Sequence, residues 1–561
     1  MSVDIDAATD PVGFPAVQTR ARRRLSVTEG RVVFSLCLLC YVAIAVWFWR
    51  ADLIPGDAMS RIANAYYILF SRDPHLAAVG FVWNPLPSLI LLPVLPLKAL
   101  IPALTREGLV AALSSALFMA GTIAVCHDLL RRLRLRRAPR LVLTGALAAH
   151  PMILIYSGNG MSEACLMFFL ALSARALLRW FDEAKPERLV TVGVSLGLAY
   201  GARYEALAPG LAVPAVVALV SWWRGRDWGT WRWAAARTDA VVAGLPVFLS
   251  AVGWALASKI IVGQWFATFS SEYGNSAQVA AASSGIESIT GHTLDARILY
   301  GLRQLLGLTP LVPLLLVLAV VLAIRRRDPR VLAPLAVFLP VLAFDNLTLL
   351  TGTSFGWLRF QITAVPLAVL LAGSVVAMWG RPGEVTAHTG PSPGRWWSRA
   401  RRGSLRWVAV TAAVAVAVPA AVATLNTPGL AREESEWFTA AGARRTAGLA
   451  RLHARIAREL DDMSLPAGAV ITDSAYAFAI VLASRRPEQF VITSDRDFQQ
   501  VLADPSGHRV RYLLLSTNGA ADAVRAAYPQ SDVSAAVSPS VRAWADEWGV
   551  VLWMLVPVDT S

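Results

Sequence analysis

The chain has 561 residues, 56% of them hydrophobic and only 16% charged, with a formal net charge of +14. Soluble domains carry about 25% charged residues, so an ordinary soluble enzyme, a disordered chain and a secreted disulfide scaffold are all excluded. Lysine occurs only at Lys98, Lys185 and Lys259, and from Ala431 onward 13 arginines face 16 acidic residues. The basic excess therefore lies between apolar runs, not on a soluble face suited to nucleic acid.

Those runs, taken in chain order, predict an α-helical polytopic membrane protein with eleven spans. They lie at 32–49, 109–130, 141–156, 164–180, 189–202, 206–222, 240–261, 305–324, 331–349, 360–378 and 408–425. Arginine clusters order them: Arg20 to Arg24 and Arg31, then Arg131 to Arg140, Arg224 to Arg237, Arg325 to Arg330, and Arg395 to Arg406. With eleven crossings all five clusters share the cytoplasmic side, which is what the positive-inside rule requires. Residues 1–31 are then a cytoplasmic segment, 32–425 the membrane domain with a cytoplasmic linker at 380–406, and 426–561 an extracytoplasmic domain. The basic start followed directly by the first apolar run reads as an uncleaved first span. Residues 85–103 are apolar but hold Pro85, Pro87, Pro93, Pro96 and Pro102. They read as a juxtamembrane or re-entrant element of the first outer loop, 51–108, because a lone crossing there would carry the cluster at 131–140 outside. Cys37, Cys40, Cys126 and Cys165 all lie in apolar stretches and read as small packed hydrophobes, not as a redox or metal pair. Beyond Leu425 the composition changes. A charged helix at 433–463, β-prone runs at 469–472, 490–493 and 510–516, and helices at 495–502 and 520–528 make a small α/β domain.

Polar residues converge on the outer loops. The first loop opens with Pro55-Gly56-Asp57-Ala58-Met59-Ser60-Arg61 and continues through Ser71-Arg72-Asp73-Pro74-His75 to Trp83-Asn84-Pro85-Leu86-Pro87. The next loops are Ser157-Gly158-Asn159-Gly160-Met161-Ser162-Glu163, then Arg203-Tyr204-Glu205, and later Gly356-Trp357-Leu358-Arg359. Ionisable residues at a membrane boundary are costly, and they line a cavity, pair, or act on a substrate. Asp57 is either a general base, strengthened by partial desolvation at the lipid boundary, or the cap of the helix that follows. Arg203 and Arg359 either bind a phosphate in fork geometry or snorkel to the interface, and Arg203 has Glu205 as an alternative partner. Glu163 either holds an acceptor hydroxyl or a metal, or caps its own helix. Arg72 and His75 are further candidates for a donor site. Glu272, Tyr273 and Asn275 lie in a long outer loop that either covers the site or is plain surface.

This constellation resembles the GT-C superfamily of integral membrane glycosyltransferases, in particular its protein-mannosyltransferase and aminoarabinose-transferase branch. The likeness runs from about Val32 to Met378. It rests on Asp57, the W-N-P-L-P segment, the G-M-S-E turn, the R-Y-E element and Arg359. It implies a polyprenyl-phosphate sugar donor, a glycan, lipid or protein acceptor on the outer face, and Asp57 as catalytic base. It also implies donor-phosphate binding by Arg203, Arg359, Arg72 and His75, and acceptor or metal contacts by Glu163 and Glu205. Many members carry an acidic pair in the first loop, whereas Asp57 is followed by Ala58, so the use of a divalent cation stays open. The rival reading is a lipid or oligosaccharide transporter or flippase. That class favours pseudo-repeats and charges at the bilayer midplane, and neither is evident here. A membrane scaffold would leave Asp57, Glu163 and Arg203 without a common purpose.

Overall fold

The computed structural model describes residues 16–227, 229–379, 415–517, 522–529 and 541–558. Seven helices among them are long and apolar enough to cross a membrane: Thr28–Arg50, Leu109–Arg132, Glu163–Glu183, Tyr204–Arg224, Trp231–Val262, Pro329–Leu350 and Leu358–Trp379. An eighth crossing is available if Leu294–Leu308 and Val312–Arg326 count as one span, although they meet at 78°. Thr309-Pro310 interrupts that pair, because proline lacks an amide hydrogen and disfavours helical geometry in the residue before it.

Eleven spans are therefore not reached among the described residues, and the reasons are local. The predicted span at 141–156 is two short helices, Arg137–Ala148 and Pro151–Tyr156, parted at His150-Pro151. The span at 189–202 is the helix Pro186–Ala202, whose 17 residues reach about 25 Å, short of a hydrocarbon core of about 30 Å. The predicted 305–324 is the bent pair. The predicted 408–425 and the linker at 380–406 lie largely outside the described residues, and what is described ends in the helix Ala417–Leu425. The proline-rich stretch at 85–103 breaks into Leu86–Leu91 and the 3-10 turn Leu95–Ala99, neither of spanning length.

The bundle core runs through Leu109–Arg132, Glu163–Glu183 and Leu358–Trp379, in which Met119, Met167, Leu170, Leu370 and Leu371 are fully buried. The arginine-rich helix ends gather at one end of the bundle. Asp128 takes Arg132 at 2.9 Å and Arg175 at 2.7 Å, Glu29 takes Arg140 at 2.8 Å, and Asp182 takes Arg330 at 2.8 Å. Helix α1, Ala16–Arg50, runs from that end to the other, where Pro55 starts α2, Gly56–Phe70.

The C-terminal part is a five-stranded sheet in the order β2-β1-β3-β5-β4. Strands β1 (Val470–Thr472), β2 (Phe490–Ile492) and β3 (Tyr512–Ser516) are parallel, with Val470 opposite both Phe490 and Tyr512. Ser474–Ala483 and Phe498–Ala503 are the crossover helices that parallel strands require. Two further strands, β4 (Arg542–Ala545) and β5 (Val551–Pro557), extend the sheet antiparallel beyond the three runs read from sequence. The sheet unit docks on α2: Phe478 lies 3.7 Å from the position of a side chain at Gly56, and Asp73 accepts the Arg496 amide at 3.0 Å.

Candidate active site

Asp57 occupies the first turn of α2 but makes no capping hydrogen bond. Its carboxylate turns instead to Arg359, whose Nη2 donates to Oδ2 at 3.1 Å. Four residues on, and so on the same helix face, Arg61 donates to the Asp57 carbonyl at 2.9 Å and lies over the Trp83 ring at 5.0 Å. Burial alone would raise the Asp57 carboxyl. The Arg359 and Arg61 charges outweigh it and hold the group below the usual carboxylate range. A base strengthened by desolvation, the natural expectation at a lipid boundary, is thus corrected to one kept ionised by arginine.

Glu163 is delivered by a turn that only glycine allows at Gly160. There φ is +83°, and a Cβ would meet Ala111 and Ala58 at 2.9 and 3.0 Å. Asn159 closes the turn by accepting the Met161 amide at 3.1 Å. Glu163 is then the first residue of its helix, 1% exposed. Its Oε1 accepts Arg203 Nη1 at 2.5 Å and lies 3.5 Å from Arg359 Nε, while Oε2 has no protein partner. Arg203 stands in extended backbone between the helix Pro186–Ala202 and the turn Tyr204–Ala206. Its Nε and Nη2 both reach Glu205 Oε1, at 3.1 and 2.6 Å. The expected Arg203–Glu205 pair is therefore present, but it is one arm of a larger network.

Arg359, 3% exposed, sits at the centre. Besides Asp57 it holds Glu433, with Nη1 donating to Oε1 at 2.7 Å. Glu434 is fully buried and accepts the Tyr156 hydroxyl at 2.8 Å. Burial pushes Glu433 and Glu434 upward, with Arg359 acting against the rise.

The cluster thus joins Asp57, Glu163, Arg203, Glu205 and Arg359 from four distant stretches of chain. It does not include Arg72 or His75. Arg72 follows the far end of α2, about 22 Å along the helix from Asp57, and its guanidinium is committed to Asp495 at 3.0 Å and to Asp497. His75 Nδ1 lies 2.7 Å from the Asp73 carbonyl. Arg72 serves the seam with the C-terminal sheet unit, and His75 lies against Asp73, which accepts from Arg496 there. Of the later loop, Tyr273 donates to Asp473 in that unit at 2.7 Å, and Asn275 lines a cleft beside the cluster.

Arg61, Glu433, Glu434 and Asp345 are site residues that sequence reasoning missed. The first had a signal, its four-residue spacing from Asp57. Asp345 had one too, as a carboxyl inside an apolar span, where it is 7% exposed. Glu433 and Glu434 had none, since they looked like the start of a solvated helix.

Two cavities meet at Arg61. A cleft is lined by Trp83, Asn84, Arg203, Tyr204, Glu205 and Gln278. A second is lined by Pro87, Leu91, Ser115, Phe118, Met161 and Cys165. Among the described residues no three His, Cys, Asp or Glu side chains are grouped to hold a metal. The carboxylates here face arginines.

No family model and no curated protein matches the sequence. Solved structures do. ArnT from Cupriavidus metallidurans bound to undecaprenyl phosphate superposes with a TM-score of 0.53 at 16% identity, covering 92% of this chain and 97% of that one. Its apo state gives 0.50 at 16% identity, covering 93% and 98%. The fold is the GT-C fold. The expected class, a polytopic helical GT-C-like domain followed by a small C-terminal α/β unit, stands, with seven or eight helices of spanning length among the described residues. In this GT-C fold the cluster lies at the end of the bundle opposite the arginine-rich ends, where α2 and the sheet unit cover it.

Proposed function

We propose that the protein is a membrane glycosyltransferase that moves a sugar from a polyprenyl-phosphate donor to a hydroxyl of a glycan, lipid or protein acceptor. The observation that carries this reading is the convergence of Asp57, Arg359, Glu163 and Arg203 at one end of a GT-C fold. In this mechanism Asp57 Oδ takes the acceptor's hydroxyl proton, and the freed oxygen attacks the anomeric carbon from the side opposite the phosphate. The C–O bond to the phosphate breaks as the new one forms, which inverts the centre. Arg359 and Arg203 supply fixed positive charge where the leaving phosphate gathers negative charge, in a site already desolvated, so little reorganisation is needed. Glu163 and Glu205 hold Arg203 in place and offer free Oε2 atoms for an acceptor hydroxyl. The cleft at Arg61, with its aromatic and amide lining, suits a sugar.

The test is donor binding. Detergent-solubilised protein should bind a polyprenyl phosphate. Arg359→Ala should weaken that binding by about tenfold or more, and Arg359→Lys by less, because lysine keeps the charge but not the fork. Parental affinity in both variants would take Arg359 out of the donor site.

The same reading places the site on the outer side, with the arginine-rich ends in the cytoplasm. A C-terminal reporter that works only in the cytoplasm should stay silent. A strong signal would invert the orientation.

A further inference from the structure

We propose that Glu433 is a positioning residue of the donor site: in the empty protein its carboxylate holds Arg359 where the donor's phosphate binds, and it swings aside when the lipid enters. This rests on the reading of Arg359 as the phosphate ligand.

Both terminal nitrogens of Arg359 are held by carboxylates. Nη1 is taken by Glu433 at 2.7 Å and Nη2 by Asp57 at 3.1 Å, and Nε faces Glu163 at 3.5 Å without a hydrogen bond. A phosphate that forks across the terminal edge needs Nη1 and Nη2 at once, so it competes with Glu433 for Nη1. Asp57 and Glu163 sit in the first turns of long helices, and Glu163 is also tied to Arg203. Glu433 belongs instead to the non-repetitive stretch between the helix Ala417–Leu425 and the short turn Ser435–Phe438. Its side chain is 13% exposed, against 2% for Glu163; Asp57, at 27%, is the more exposed but is fixed in the first turn of α2. Its neighbour Glu434 is anchored by the Tyr156 hydroxyl, and Trp437 packs edge-on against Phe48 and Tyr156. The backbone therefore stays while the Glu433 side chain alone can turn outward.

Charge points the same way. Around Arg61, Arg203 and Arg359 stand Asp57, Glu163, Glu205, Glu433 and Glu434, with Asp345 within electrostatic reach of Arg203. An anionic lipid head entering this acid-rich cluster is repelled unless one carboxylate withdraws from the arginine it approaches.

The experiment measures the Kd of undecaprenyl phosphate in detergent for the full-length parent, Glu433→Ala, Glu433→Gln, Arg359→Ala and the double variant Glu433→Ala/Arg359→Ala. Both Glu433 variants should bind tighter, the alanine by about tenfold. The gain should vanish in the double variant, since it acts through Arg359. Should alanine compromise folding, glutamine keeps the shape and still removes the charge. Parental or weaker affinity in both Glu433 variants, with Arg359→Ala weakened, would overturn this proposal and leave the phosphate reading intact. A gain that persists without Arg359 would also overturn it, as a general field effect. Parental affinity in Arg359→Ala would instead remove the phosphate reading, and this proposal with it.

Discussion

Asp57→Asn is expected to abolish most sugar transfer while leaving the protein folded and able to bind donor. Asparagine keeps the size of the side chain and can still accept from Arg359 Nη2, but it cannot take a proton. Turnover should fall by about 10²–10⁴-fold, the usual contribution of general acid–base catalysis. Donor affinity should hold or improve, because one negative charge leaves the neighbourhood of the phosphate. Asp57→Glu should retain partial activity, with the carboxylate about one methylene out of place. Because Asp57 makes no cap hydrogen bond in α2, a structural loss from the asparagine variant is not expected. The pH profile adds an independent sign. A carboxyl held below its ordinary value stays ionised as pH falls through neutrality, so kcat/KM should show no acid limb from Asp57 above about pH 4. A limb at higher pH would point to Glu433 or Glu434, which burial pushes upward. Turnover of the Asp57→Asn enzyme within a few-fold of the parent, assayed with a polyprenyl-phosphate sugar, would defeat the assignment.

Arg203→Ala should give the largest loss of stability. Arg203 is the shared partner of Glu163 and Glu205, which are 2% and 3% exposed in their side chains. Removing one member of a buried ionic network strands the others, at a cost of about 3–5 kcal/mol. Thermal unfolding of the purified protein in detergent should therefore shift down sharply. Arg203→Lys should be milder, because the charge remains although the fork is lost. Adding Glu163→Gln to Arg203→Ala should recover part of the loss, since one stranded charge is gone. An Arg203→Ala protein as stable as the parent, but defective in donor binding, would mean that Arg203 serves the substrate alone and that its carboxylate contacts carry no structural weight.

Much of this molecule was legible in its residue order. Apolar runs of about twenty residues permit only a membrane-spanning helix, because an unpaired backbone cannot persist in lipid. Glycine at 160 announced a tight turn before Glu163. Three β-prone runs separated by helical ones announced a small α/β unit in the tail, and those three strands pair in parallel. The outer-face carboxylates and arginines stood out because charge beside lipid needs a reason. Helix continuity was not legible where proline or short length intervened, at His150-Pro151, Thr309-Pro310 and Pro186–Ala202, since composition averaged over a window does not register a local break in the hydrogen-bond ladder.

Sequence alone determined the membrane class, the GT-C resemblance and the candidacy of Asp57, Glu163, Arg203, Glu205 and Arg359. Only the tertiary structure decided their partners. Arg72 looked like a ligand for phosphate until it was seen at the far end of α2, bound to Asp495. Glu433 looked like solvated surface until the fold brought it to Arg359, 74 residues away. Asp57 was expected to gain basicity from burial, but two arginines reverse the sign. The physical reason is common to all three. A charge acts through the groups within a few ångströms, and for a bundle closed by a C-terminal domain those neighbours come from segments dozens to hundreds of residues apart, so local pattern identifies the charged side chain but not what neutralises it.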